Sequence, residues 1–203
     1  MPGLVEAKVT DNEDPENMHR VKVEFPTLPD APESYWARVV TPMAGEKRGW
    51  VTLPEVGDEV LVAFLHGDFN HAVVLGALYN GTDVPPYTND DGNNDLKVFQ
   101  SRAGHKVTFD DTSGSERIEV VTHNEAITII YDGANQTLSV ACDGDIIVDA
   151  GGNFEVSCAD FTVSATQNVS VEATMNLDLK GTTQATVDGG TMLVLTAAQT
   201  SIG

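Results

Sequence analysis

A period of eight residues runs through the last third of the chain, and no other feature limits its possible folds so tightly. From Leu138 onward a triplet of alternating apolar positions recurs: Leu138, Val140, Cys142; Ile146, Val148, Ala150; Phe154, Val156, Cys158. After one seven-residue step it resumes as Phe161, Val163, Ala165; Val169, Val171, Ala173; Leu177, Leu179, Gly181; Ala185, Val187, Gly189; Leu193, Leu195, Ala197. The first two members are mostly large and the third is small. Asp, Glu, Ser, Thr, Asn, Gln and Lys fill most positions between them, so each octad reads as a short strand with one apolar and one polar face. Gly151-Gly152-Asn153 and Gly189-Gly190 fall between triplets or at their ends, where the chain has to bend.

A fixed period marks a repeat architecture whose units cannot bury their apolar stripe alone. Burying a large apolar side chain contributes roughly 1.5–3 kcal/mol. Fixing the backbone costs about 1–2 kcal/mol for every residue of the octad, so a lone ribbon does not stand. Eight residues are also too few for the coils of most single-chain parallel β-helices, which need two or three strands and turns each. The pattern predicts several identical chains wound together, each giving one strand per layer, with the small third residue at a crowded shared axis. The predicted axis column contains Val140, Cys142, Val148, Val156, Cys158, Val163, Val171, Leu179, Val187 and Leu195. Cys142 and Cys158 lie two octads apart in it, match no metal-binding spacing, and read as small buried thiols. An amphipathic sheet in a sandwich is the competing reading, and eight copies in near-perfect register weigh against it.

Charge narrows the range of partners. The 203 residues carry a formal net charge of -20, which argues against binding a phosphate backbone and favours a solvated, soluble surface. Aromatic residues thin out along the chain, with only Phe154 and Phe161 after Tyr131, so a bulky core gives way to a narrow one. No apolar run reaches membrane-spanning length, and Met1-Pro2-Gly3 opens no signal peptide. The expectation is a chain made in the cytoplasm that leaves the cell, if at all, by another route.

Residues 1–80 predict a handful of short strands separated by turns: Gly3–Thr10, His19–Phe25, Tyr35–Val40, the apolar run Val60–Leu65, and Ala72–Tyr79. Five strands without a helix predict a small antiparallel barrel of the OB type. Gly57 in Val56-Gly57-Asp58-Glu59-Val60 is placed for a tight turn with positive φ, and Trp36 and Trp50 are expected to fill the barrel or its seam with the next domain.

The order Arg20-Val21-Lys22-Val23, Trp36-Ala37-Arg38-Val39, Gly49-Trp50, Pro54 through Val62, Phe64, Gly67-Asp68 and Val73 through Asn80 resembles the OB domain of central spikes of contractile tails. That family takes in phage tail spikes, the VgrG proteins of type VI secretion and the spikes of extracellular injection systems. Residues 81–95 form a linker in which Asp91, Asn93 and Asp95 faintly resemble a calcium loop but lack its Gly and distal Glu, favouring a solvated turn. Residues 96–137, with Ser101 through Thr112 and Ser115 through Val120, look like the neck joining such a barrel to its needle, and alternation at Val107/Phe109, Ile118/Val120 and Ile127/Ile129/Tyr131 independently predicts strands. His66 and His71 read as loop or packing residues, and His105 as a hydrogen-bonding residue of a strand turn.

The resemblance implies an all-β protein: an N-terminal OB-fold barrel (1–80), a linker (81–95), neck strands (96–137) and an intertwined trimeric β-helix needle (138–203). The number three comes from the resemblance. It implies a mechanical, membrane-piercing role in a phage-tail-like particle, with no catalytic residue, cofactor or metal and no nucleic-acid partner. Some phage spikes carry a lysozyme domain between barrel and needle; the short linker here carries no such activity over. The barrel begins at once, which implies a separate hub protein. No histidine follows His123, so a blunt end is expected, with Ser201, Ile202 and Gly203 meeting a PAAR-type tip protein. The rival readings are a β-helical polysaccharide-acting enzyme or adhesin and a nucleic-acid-binding OB protein. Acidic residues scattered among Thr and Ser oppose the enzyme. For the nucleic-acid reading, the barrel offers only Lys8, Arg20, Lys22, Arg38, Lys47 and Arg48 as basic side chains.

Overall fold

The computed structural model describes residues 3–199. It divides into two compact units, Met1–Ile147 and Val148–Gly203.

The first unit opens with a barrel. Its strands are β1 (Leu4–Asp11), β2 (Arg20–Glu24), β3 (Ala37–Val39), β6 (Glu59–Phe64) and β7 (Ala72–Ala77), closed in the order β1-β2-β3-β7-β6. All neighbours are antiparallel except β3 and β7, which run parallel. This is the Greek-key closure expected of an OB fold. Alternation decides which side chains enter: Val60, Val62 and Phe64 of β6 and Val21 and Val23 of β2 are buried, while the residues between them are partly exposed. Val9, Phe25 and Val74 complete the fully buried set. Phe25, Phe64 and Phe69 form a cluster with ring centroids 5.3–5.4 Å apart, Phe64 stacked on Phe69 and Phe25 tilted against both.

Gly57 has φ 105°, as the sequence predicts. Its N–H donates to the Val9 carbonyl at 2.9 Å, and Val9 N–H donates to the Asp58 carbonyl at 2.9 Å. The turn into β6 is thereby stitched to β1.

Neither tryptophan enters the barrel core, and Trp50 takes the seam position that the sequence allowed. Phenylalanine and valine occupy the barrel interior. Trp36 is half-buried beneath the Lys22 ammonium, 5.3 Å from its ring centre. Trp50 lies about half exposed and meets Phe99 edge-on at 6.4 Å, so it reaches the seam with the next sheet and not the core. A two-stranded hairpin outside the barrel, β4 (Ala44–Gly45) with β5 (Arg48–Gly49), carries it there. The residues are too few and too polar for strand periodicity to announce this hairpin.

One buried charge also escapes sequence patterning. The Asp14 side chain is only 2% exposed, and the Arg20 guanidinium grips it through Nε to Oδ2 at 2.9 Å and Nη2 to Oδ1 at 2.7 Å. Backbone N–H groups of Glu16 and Met18 donate to the same carboxylate, which ties the 11–19 loop to β2.

The second sheet is an antiparallel meander of β8 (Leu96–Gln100), β9 (Lys106–Asp110), β10 (Arg117–Val121), β11 (Ile127–Asp132) and β12 (Thr137–Cys142). It takes in the first octad triplet: Leu138, Val140 and Cys142 pair with Tyr131, Ile129 and Ile127. The sheet therefore ends after Cys142 and not after Thr137. Ile127, Ile129 and Tyr131 share the alternation of the first triplet, and a tight turn brings the two runs together.

The Arg20 guanidinium holds the Asp14 carboxyl well below the ordinary carboxylate range. The stabilisation this brings is present above the unfolded-state value near about 4 and is lost as pH falls toward the lower folded value. Asp14→Asn should therefore unfold at lower urea than the parent at pH 7, and the gap should narrow below about pH 4. Paired urea titrations across pH check this. A gap independent of pH would count against the ion pair as its source.

Candidate assembly surface

Antiparallel pairing places directly opposed residues on one face of a sheet. In the β8–β12 meander one cross-strand row is Phe99, Val107, Val120, Ile129 and Val140, and the next is Lys97, Phe109, Ile118, Tyr131 and Leu138. These rows make one face apolar over the full width of the sheet. Phe99, Phe109, Tyr131 and Leu138 are each about half exposed or more, and Ile118 and Val120 more than a third. An apolar face this broad and contiguous exceeds the scattered exposure found on ordinary surfaces.

The opposite face mixes polar residues, many of them paired within the chain, with Leu96, Val98, Val121 and Ile130. Asp110, Arg117 and Asp132 share one row, and Thr108 and Glu119 the neighbouring one. Arg117 Nε lies 3.0 Å from Glu119 Oε1 and 3.5 Å from Asp110 Oδ2. The Asp110 carboxyl is held below its ordinary range by hydrogen bonds from the Thr112 side chain and backbone, and by the Arg117 charge. Asp132 is lowered likewise, chiefly by hydrogen bonds from Asn135. Most charged groups of this face find partners within the chain, with Thr108 Oγ1 buried without one among the described residues, whereas on the apolar face Phe99 meets Trp50 and the other residues stay at least partly exposed.

The octad segment continues this imbalance. Among the described residues, 143–199 hold no strand or helix, and every one of them is exposed. Bends or turns recur at 143–144, 151–152, 159, 166–167, 174–175, 182–183, 190–191 and 198–199. They keep the eight-residue period and include the single seven-residue step. Gly189 is one place where the turn itself demands glycine: an added Cβ would stand 2.5 Å from the Met192 carbonyl oxygen, which belongs to the turn closed by Met192 N–H to Gly189 C=O at 3.0 Å.

Of the predicted axis residues, Val140 and Cys142 lie in β12. Val148, Val156, Cys158, Val163, Val171, Leu179, Val187 and Leu195 lie in the octad segment and are exposed in the single chain. Both cysteines are free thiols, and Gly144 N–H donates to the Cys142 sulfur at 3.3 Å. Ser201, Ile202 and Gly203 lie outside the described residues.

His105 does the work of a turn residue. Its backbone N–H donates to Ser101 Oγ, and its Nδ1 accepts the His123 N–H at 3.3 Å, which couples the β8–β9 and β10–β11 turns. His71 pairs with Asp68 at 2.9 Å. Asp91 caps its own turn by accepting from the Asn93 backbone and side chain. No group of metal ligands occurs among the described residues. No described helix is long and apolar enough to cross a membrane.

Residues 5–79, the span of the barrel, match the type VI secretion system/phage-baseplate injector OB domain. Beyond the barrel match, the chain is similar in sequence to VgrG spike proteins. It is 30% identical over 139 residues to the type VI secretion system spike protein VgrG3 of Vibrio cholerae serotype O1, covering 56% of this chain and 14% of the relative. It is 26% identical over 162 residues to the actin cross-linking toxin VgrG1 of the same species, 65% of this chain and 15% of that protein. The spike protein VgrG5 of Pseudomonas aeruginosa is 43% identical over 72 residues, 34% of this chain and 9% of its own length. The aligned part is thus about a seventh or less of these relatives.

What sequence periodicity leaves out is that strands β8–β11 and the first octad place their apolar residues on one side together. That depends on turn lengths, which set the register. Val120→Asp on this face should cost roughly 3–5 kcal/mol per copy wherever the face is covered. Size-exclusion chromatography should then show smaller species, while Ser139→Asp on the other face elutes like the parent. Identical elution of both variants would reject the face as an assembly surface.

Proposed function

We propose that this chain is a structural spike of a contractile, phage-tail-like injection apparatus, and that it works as a homotrimer. The barrel forms the base, the β8–β12 sheet the neck, and the octads a needle in which the strands of three chains wind about one axis. The observation that carries this reading is the octad segment. Its bends keep an eight-residue period while its apolar residues find no cover within the chain.

A strand with unpaired backbone and an apolar stripe gains both hydrogen-bond partners and an interior when identical strands lie beside it. Large residues at the first two positions of each octad would pack between chains, and the small third residue would sit where they approach most closely. Interchain hydrogen bonds along the needle would resist axial load when a contracting sheath drives the tip into a target envelope. The outward Asp, Ser and Thr keep the wound needle soluble, in line with the net charge of -20.

The role is mechanical and not enzymatic. A separate hub protein would hold the barrel end, and a PAAR-type protein would cap the needle at Ser201, Ile202 and Gly203. Contact with the target membrane would be transient. The assembled particle would act outside the cytoplasm in which its chains are made.

Sedimentation of the full chain should give the mass of three copies; a folded species of one chain's mass would end this reading. Val171→Asp sets like charges around the axis and should cost several kcal/mol per assembly. Ser170→Asp, pointing outward, should be nearly silent in denaturant resistance.

A further inference from the structure

The β4–β5 hairpin presents a second uncovered surface, on the barrel. Met43, Trp50 and Val51 are each about half exposed or more, and Val51 reaches 69%. The hairpin is well built: Trp50 N–H donates to the Met43 carbonyl at 2.9 Å, and Thr41 Oγ1 donates to the Trp50 carbonyl at 2.6 Å. Its strands pair only with each other. A hydrogen-bonded excursion that holds large apolar side chains in water has the form of a docking element.

Two observations choose the occupant. The first is continuity. Trp50 stacks edge-on against Phe99, the first residue of an apolar row on the neck sheet. The groove lined by Met43, Trp50 and Val51 also shares its Val39 and Leu53 floor with the groove that Phe99 lines. Anything that covers the neck face therefore arrives at the hairpin. The second is charge. The hairpin tip carries Lys47 and Arg48 beside Glu46, a local net positive charge in a chain of net charge -20, so an acidic partner suits it, and a second copy of this chain is one.

We propose that the Met43–Val51 hairpin docks onto a second copy of the chain, extending the contact made by the apolar neck sheet onto the barrel. The proposal rests on the oligomeric reading above. It adds that the barrels are locked to their neighbours through Trp50 and Val51, with Lys47 and Arg48 facing the neighbour's carboxylates.

The test replaces Val51 with the photocrosslinking residue p-benzoylphenylalanine in the full chain. Light and heavy isotope forms are mixed by unfolding and refolding together, irradiated, and mapped by mass spectrometry. Crosslinks joining a light to a heavy chain are expected from position 51, and none from the same residue placed at Thr82, an exposed loop position. An oligomeric mass with crosslinks only inside one chain would overturn the hairpin proposal and leave the oligomer standing. A one-chain mass would overturn both. A Lys47→Glu/Arg48→Glu variant should lose light-heavy crosslinking at low salt, and unchanged yield would reject the role of charge.

Discussion

The constraint on which the structure turns is an apolar surface that the chain cannot cover by itself. In the barrel, alternation sends valine and phenylalanine into an interior that five strands close around. Beyond Leu96 the same alternation produces a face without an opposing layer. One sheet cannot enclose its own apolar side, because every layered architecture needs a second layer to exclude water. Beyond Cys142 no described residue lies in a strand, so these octads lack a ladder partner for the backbone as well as cover for the side chains.

The two halves of the chain thus solve the same chemical problem at different levels. The barrel is complete in one copy, with its loops pinned by Asp14 and Arg20 and its β6 turn stitched to β1. The β8–β12 sheet is complete as a hydrogen-bonded meander but incomplete as a layer. The octads are incomplete in both respects. Completeness falls from the N-terminal end onward. Small local devices support the arrangement: His105 and His123 tie the β8–β9 and β10–β11 turns, and Gly189 permits a turn that a side chain would obstruct.

Much of this was legible in the residues. Period two in Arg20–Glu24 and Glu59–Phe64 located barrel strands to within about a residue, because one buried face imposes strict alternation. The octad period predicted where the chain would bend, including the seven-residue step. Trp50 meets Phe99 at the seam, one of the two places expected for it, whereas Trp36 is only half-buried beneath Lys22. The β4–β5 hairpin and the buried Asp14 gave no periodic signal at all. A two-residue strand has no period, and an Asp in a polar loop looks the same whether or not an arginine folds over it.

By itself the sequence determined the strand faces, the turn glycines and the octad repeat, because these depend on neighbours at most a few residues away and on the two-residue pleat. Tertiary structure alone decided which faces stand together. Register across β8–β12 gathered Phe99, Phe109, Ile118, Tyr131 and Leu138 onto one side and drew the first octad into the sheet. The reason is physical: alternation fixes the side of a strand on which a residue lies, but only the turns that align one strand with another fix which residues become neighbours across the sheet.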